Sequence, residues 1–241
     1  MDHPLPDVLM EIEITDRGAF ASASVTLAPD ETFVSEAGCY VHSTPNVDID
    51  VTTRRRSRGG GGGLLGGLKS MLAGESFFLS RYSSTDGGAA TLHLAPGLPG
   101  DVRQVDLDGS SRWLCFGGSY LGSGPELDLD TEGQGFKGFF SGESLFAIGV
   151  SGTGPLLVSA YGAIHEAKID GELIVDTGHL VAFEDTLDYE ITKAGSSWLR
   201  SMLGGEGMVM RVSGKGRLLV QSHDPGSYGR RLGGLLPPRS S

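Results

Sequence analysis

The 241-residue sequence is short of cysteine, of basic charge and of long apolar runs, and each shortage removes a class of protein. Cys39 and Cys115 are too few for a disulfide framework or a tetrahedral thiolate site, so they read as small buried apolar residues in a reducing compartment. The 19 Lys and Arg stand against 30 Asp and Glu, a formal net charge of -11, which on balance repels phosphate backbones and disfavours general nucleic-acid binding. No run approaches the ~20 apolar residues of a membrane-spanning helix. The opening Met1-Asp2-His3-Pro4 has neither the basic start and apolar stretch of a secretory signal nor the Arg-rich bias of a transit peptide, so the expected location is the cytoplasm.

Glycine is what the sequence has in excess. The chain carries 39 of them, roughly double the ordinary usage of about 7%, set between short apolar runs without a collagen period. That punctuation predicts many strands and turns. Residues 20–27 alternate, with Ala21, Ala23, Val25 and Leu27 on one face and Phe20, Ser22, Ser24 and Thr26 on the other. Helix signals are scarce; 64–72 and 197–203 would each make about two turns, and glycines weaken the first.

One cassette recurs three times, at residues 68–76, 136–144 and 199–207, with Gly74, Gly142 and Gly205 spaced 68 and 63 residues apart. Each is followed by an expected hairpin: 76–82 with 90–94, 145–150 with 156–160, and 208–212 with 217–221. The second and third carry Ser151-Gly152-Thr153-Gly154 and Ser213-Gly214-Lys215-Gly216, read as tight turns in which glycine takes the positive φ. Leu27-Ala28-Pro29 and Leu94-Ala95-Pro96 read as a second repeated element, with Tyr161-Gly162 in their place in the third copy. The predicted units are 1–90, with an Arg/Gly-rich loop at 52–67, then 91–157, then 158–224, and a disordered tail at 225–241.

The strings that carry chemistry elsewhere are incomplete here. Gly133-Gln134-Gly135-Phe136-Lys137-Gly138 matches a dinucleotide fingerprint but follows an acidic stretch and runs into the β cassette. Asp128, Asp130, Glu132 and Gly133 resemble the start of a calcium loop whose twelfth position would be Phe139, so they read as a solvated acidic edge. His3, His42, His93, His165, His179 and His223 lack metal-ligand spacing, and His93 and His223, which fall at matching places after Gly74 and Gly205 with Tyr161 there in the second copy, read as polar contacts at repeat junctions. Glu75, Glu143 and Glu206 recur at one point of the cassette, which favours a shared architectural role over acid-base work. No catalytic, metal or cofactor site is expected. Arg54, Arg55, Arg56 and Arg58, beside five consecutive glycines, are the one concentrated positive charge and the candidate contact for an anionic partner.

Taken in order, residues 27–29 through 36–38, 96–101, 142–146, 175–182, 205–207 and 216–221 resemble the altered-inheritance-of-mitochondria twenty-four family over roughly residues 8–221. The resemblance implies an all-β fold of three β-sandwich or double-stranded β-helix-like repeats, similar to the tryptophan-RNA attenuation protein and related by pseudo-threefold symmetry, with little helix. It further implies homo-oligomers, a trimer foremost, and fungal members of the family matter for mitochondrial inner-membrane organisation. The function expected is that of a non-catalytic oligomeric scaffold with a protein or membrane-surface partner. The alternatives are a ring-like binder of small molecules or RNA, suggested by fold analogy, and a metal enzyme on a cupin-like barrel.

Overall fold

The computed structural model describes residues 10–52, 78–131, 147–193 and 208–237. The three cassettes, Glu75, Glu143, Glu206, the glycine-rich fingerprint and the arginines at 54, 55, 56 and 58 all lie outside the described residues. Within them the chain is all-β, and every strand pairing is antiparallel.

The strands follow one another as β1 (Glu11–Thr15), β2 (Ser22–Leu27), β3 (Thr32–Glu36), β4 (Tyr40–Ser43), β5 (Val47–Thr52), β6 (Leu79–Ser84) and β7 (Ala90–Leu94). Then come β8 (Val102–Asp108), β9 (Trp113–Phe116), β10 (Tyr120–Ser123), β11 (Leu127–Thr131) and β12 (Ala147–Ser159). The last group is β13 (Ile164–Asp176), β14 (Leu180–Glu184), β15 (Leu187–Lys193) and β16 (Met208–Gln221). In β2 the alternation read from the sequence holds, since Ala23, Val25 and Leu27 are fully buried while Ser22, Ser24 and Thr26 are half-buried on the other face.

One pairing scheme occurs in each group. β7 lies between β2 and β4, and β6 between β3 and β5. In the second group the late half of β12 lies between β8 and β10, and its early half between β9 and β11. In the third, β16 does the same, its late half between the early part of β13 and β14, its early half between the late part of β13 and β15. The register irregularity falls at Tyr40/His42, Tyr120/Gly122 and Leu180/Ala182, so these residues are equivalent. Val47, Leu127 and Leu187 stand opposite Ser84, Gly152 and Gly214, which aligns the central strands as well.

That alignment corrects several expectations. The segments 147–150 with 156–160 and 208–212 with 217–221 are not hairpins; each is one strand running straight through its glycines. Gly152, Gly154 and Gly214 have φ of 116°, 138° and 116°, values that side chains with a Cβ rarely adopt, and there the strand passes from one set of partner strands to the next without reversing. In the first group β6 and β7 do not pair with each other either; each pairs within its own sheet. Leu27-Ala28-Pro29 joins β2 to β3 inside the first group, whereas Leu94-Ala95-Pro96 joins the first group to the second, so the two are not copies of one element. A boundary at residue 90 would cut β7 from its partners β2 and β4.

The tail is also corrected. Residues 225–233 form a helix, α1 (Pro225–Gly233). Asp224 caps it by accepting from the Gly226 and Ser227 amides at 2.8 and 2.9 Å, and Pro225 occupies the first turn, where its missing N–H costs nothing. Tyr228 holds it to the β structure through the Tyr161 ring, 5.3 Å away.

Adjacent groups are sewn together by strands. β10 pairs with β3, setting Gly122 opposite Ser35 and Ser123 opposite Val34. β14 pairs with β9, setting Ala182 opposite Cys115 and Phe183 opposite Leu114. Val34 and Leu79 thereby share one core with Trp113, Tyr120 and Val150 and with Val181, Ala182 and Leu219. Main-chain bonds repeat the stitching: the Ala21 amide donates to the Gly100 carbonyl and the Asp101 amide to the Gly162 carbonyl, both at 2.8 Å.

Candidate functional surface

The side chains with chemical potential are dispersed or disarmed. Burial pushes both the Cys39 and Cys115 thiols up to about 12, with the neighbouring Glu36 carboxylate adding to the effect at Cys39, so neither is a thiolate at neutral pH. Among the described residues no three His, Cys, Asp or Glu side chains are grouped to hold a metal ion. Nor is any helix among them long and apolar enough to cross a membrane.

The histidines act locally. His42 and His93 stack at 4.8 Å, and the His93 Nε2 lies 3.2 Å from the Ser22 hydroxyl. The irregularity-based alignment places His93 in register with Leu157 and Leu219, not with Tyr161 and His223 as the sequence spacing predicts. His179 Nδ1 meets the Gln221 carbonyl at 2.8 Å, and His223 contacts the Tyr161 ring edge-on at 5.4 Å and the Ser222 hydroxyl at 2.8 Å. Asp128 and Asp130 are exposed on β11, and Asp130 meets Arg112 at 3.6 Å; Glu132 and Gly133 lie outside the described residues.

Two polar groups stand apart, one half-buried and one buried. Glu36, at the end of β3, has its carboxyl pushed up to about 7 by desolvation. The Trp113 indole N–H is buried with no hydrogen-bond partner, while the Arg217 guanidinium lies 5.0 Å above its ring, held by Glu184 at 2.7 Å. An open depression of about 480 Å³, lined by Met10, Glu11, Ile12, Gln104, Asp106 and Pro155, brings together no nucleophile and base.

The surface that departs most from the internal pattern is at the two ends of the strand array. In β10 and β14 the residues Tyr120, Leu121, Leu180 and Val181 are at most 4% exposed, because each strand is covered by its neighbour group. Their equivalents in β4, Tyr40 and Val41, are 40% and 51% exposed. The late part of β13 mirrors this. Leu173 and Ile174 are 37% and 56% exposed, against at most 7% for the equivalent Phe33, Val34, Trp113 and Leu114. Among the described strands β4 pairs with β7 alone and β13 with β16 alone. Among the described strands both ends thus present apolar side chains on an edge that no further strand pairs, the kind of edge that proteins ordinarily cover or charge. Sequence reasoning missed these residues because nothing in Tyr40-Val41 distinguishes them from Tyr120-Leu121.

Among the described residues the chain is thus an antiparallel β protein whose long strands pass through glycines and whose two end strands carry exposed apolar side chains. The chain belongs to the mitochondrial biogenesis AIM24 family, whose sequence pattern matches residues 12–223. It is 29% identical over 210 residues to an uncharacterised protein of Streptococcus pyogenes serotype M6, covering 86% of this chain and 83% of that one. A crystal structure of a Streptococcus pyogenes protein superimposes with a TM-score of 0.77 at 28% identity, covering 95% of this chain and all of the other.

Proposed function

We propose that the protein is a non-catalytic scaffold of the cytoplasm that works as a homo-oligomer, a trimer foremost, through its assembled surface. The observation that carries this reading is the exposure of Tyr40, Val41, Leu173 and Ile174 at positions that are buried wherever the chain supplies a neighbouring group. Burying such side chains against a further group would gain about 25 cal/mol for each Å² of apolar area removed from water. The dispersed histidines and the protonated thiols favour a surface role over turnover.

Sedimentation velocity across a concentration series tests the reading. The expected result is one dominant species at a multiple of the 25.2 kDa chain mass. A strict monomer at every concentration would overturn it.

A further inference from the structure

We infer that β4 of one copy adds as an antiparallel strand to the late part of β13 in a second copy, repeating between molecules the seam that the chain makes twice within itself. The inference rests on the self-association reading and assigns that association to one pair of edges.

The register follows from the internal seams. Ser35 pairs with Ser80, Cys115 with Ile148 and Val175 with Met210, and each of those partners lies four residues before the aligned Ser84, Gly152 and Gly214. Ser35, Cys115 and Val175 are therefore equivalent, as are Val34, Leu114 and Ile174, and Phe33, Trp113 and Leu173. On the other side of the seam His42, Gly122 and Ala182 are equivalent, as are Ser43, Ser123 and Phe183. Gly122 faces Ser35 and Ala182 faces Cys115. Carried one step further, His42 of one copy faces Val175 of the partner subunit, and Ser43 faces Ile174 of the partner subunit.

Side-chain volumes support the fit. Within the first seam a small residue on one strand meets a large ring on the other: Gly122 lies so close to the Phe33 ring that a Cβ there would come within 2.5 Å of it, and Ala182 and Trp113 hold the equivalent positions in the second seam, where Ala182 faces Cys115. At the open ends the sizes change together, the larger His42 on β4 matching the smaller Leu173 on β13. His42 is already oriented by stacking on His93. Phe20 is exposed where Gly100 is buried and Gly162 half-buried, and the Ala163 amide, which by the internal pattern would bond a following group, is satisfied instead by the Ser222 hydroxyl at 3.0 Å. Both ends of the array are thus finished without closing on each other through these bonds. Because the two edges differ, the contact is head-to-tail, and a fixed number of copies forms when successive rotations close a ring.

The test mixes two single-cysteine variants of the full chain, Ser43→Cys and Ile174→Cys, one carrying an affinity tag so that their masses differ, under mild oxidation. Native Cys39 and Cys115 are 4% and 1% exposed and do not compete. A disulfide-linked heterodimer is expected, in several-fold excess over either homodimer and over a displaced pairing of Ser43→Cys with Glu166→Cys. Ile174→Glu is expected to move the mass of an otherwise folded chain towards 25.2 kDa. An oligomer that gives no such heterodimer, and that Ile174→Glu leaves intact, would overturn this seam while sparing the self-association reading. A chain that is monomeric throughout would overturn both. A doubly substituted chain that cross-links only within itself would show the edges meeting inside one copy and would also overturn the seam.

Discussion

Replacing Glu36 by Gln should stabilise the protein at neutral and alkaline pH and make no difference in acid. Desolvation lifts the Glu36 carboxyl from 4.5 to about 7 in the folded chain, so the native state favours its neutral form. Below about pH 4.5 the group is neutral both folded and unfolded, and it contributes nothing to the pH dependence. Between 4.5 and about 7 the unfolded chain ionises while the native carboxyl resists, so native stability falls as pH rises; above about 7 the penalty is constant. At about 1.36 kcal/mol for each pKa unit, the full shift corresponds to roughly 3 kcal/mol. Glu36 is only half-buried, so water screens its charge and about 1–2 kcal/mol is the expected gain for Glu36→Gln above pH 7. In a chain of this size that is a rise of about 2–8 °C in Tm. Urea unfolding of both proteins at fixed protein concentration, from pH 4.5 to 8.5, measures it. Stability curves that stay parallel over that range would refute the argument, as would a gain that is largest at the acid end.

Four further substitutions probe the backbone, the seam and the helix cap. Gly214→Ala places a side chain at φ 116° with its nearest non-local neighbour 3.5 Å away, so only the conformational cost of about 1–2 kcal/mol applies; Gly152→Ala has the same φ but meets the Glu126 carbonyl and should cost about 2–4 kcal/mol, an ordering that urea midpoints report. Gly122→Ala drives a methyl against the Phe33 ring and to 2.8 Å from the Val34 carbonyl oxygen, and should destabilise by about 2–3 kcal/mol in the same assay. Asp224→Ala removes the acceptor for the Gly226 and Ser227 amides and should weaken α1 by about 1 kcal/mol, seen as faster amide exchange in residues 226–232 with protection in β16 unchanged.

The strand content was legible because its cause is local. A stretch such as 22–27 alternates side chains that a half-buried sheet needs, and any packing partner would enforce the same faces. The route of the chain was less legible. Ser-Gly-Thr-Gly and Ser-Gly-Lys-Gly are compatible with a reversing turn and with an extended redirection, and glycine permits both; tertiary pairing of β12 with four other strands selects the second. For α1 the signals were present and were outweighed by composition. Asp224-Pro225 is a helix start and Tyr228 with Leu232 gives the helical spacing, but the glycines around them suggested disorder. The equivalence of His93 with His223 failed because counting from Gly74 and Gly205 ignores the linker of residues 85–89, which separates β6 from β7 where β16 runs unbroken.

The candidate surface was illegible for a different reason, which also explains why it is informative. Val41, Leu121 and Val181 are the same kind of residue at the same place in one scheme, so local physics treats them alike. What differs is whether a neighbouring group follows. Leu121 and Val181 each have one, and are at most 1% exposed; among the described residues no group pairs beside Val41, which is 51% exposed. An array of identical joints must end somewhere, and proteins usually end such arrays with charge, proline or a covering segment. The other free margin of the first group is finished that way, since β1 covers β2 and presents Glu11 and Glu13 outward. At β4 and the late part of β13 the apolar side chains were kept. An edge still dressed for burial, in a chain whose β1 edge carries outward acids, is best accounted for by a partner that buries it, and the partner whose complementary edge is already present in the same sequence is another copy of the chain.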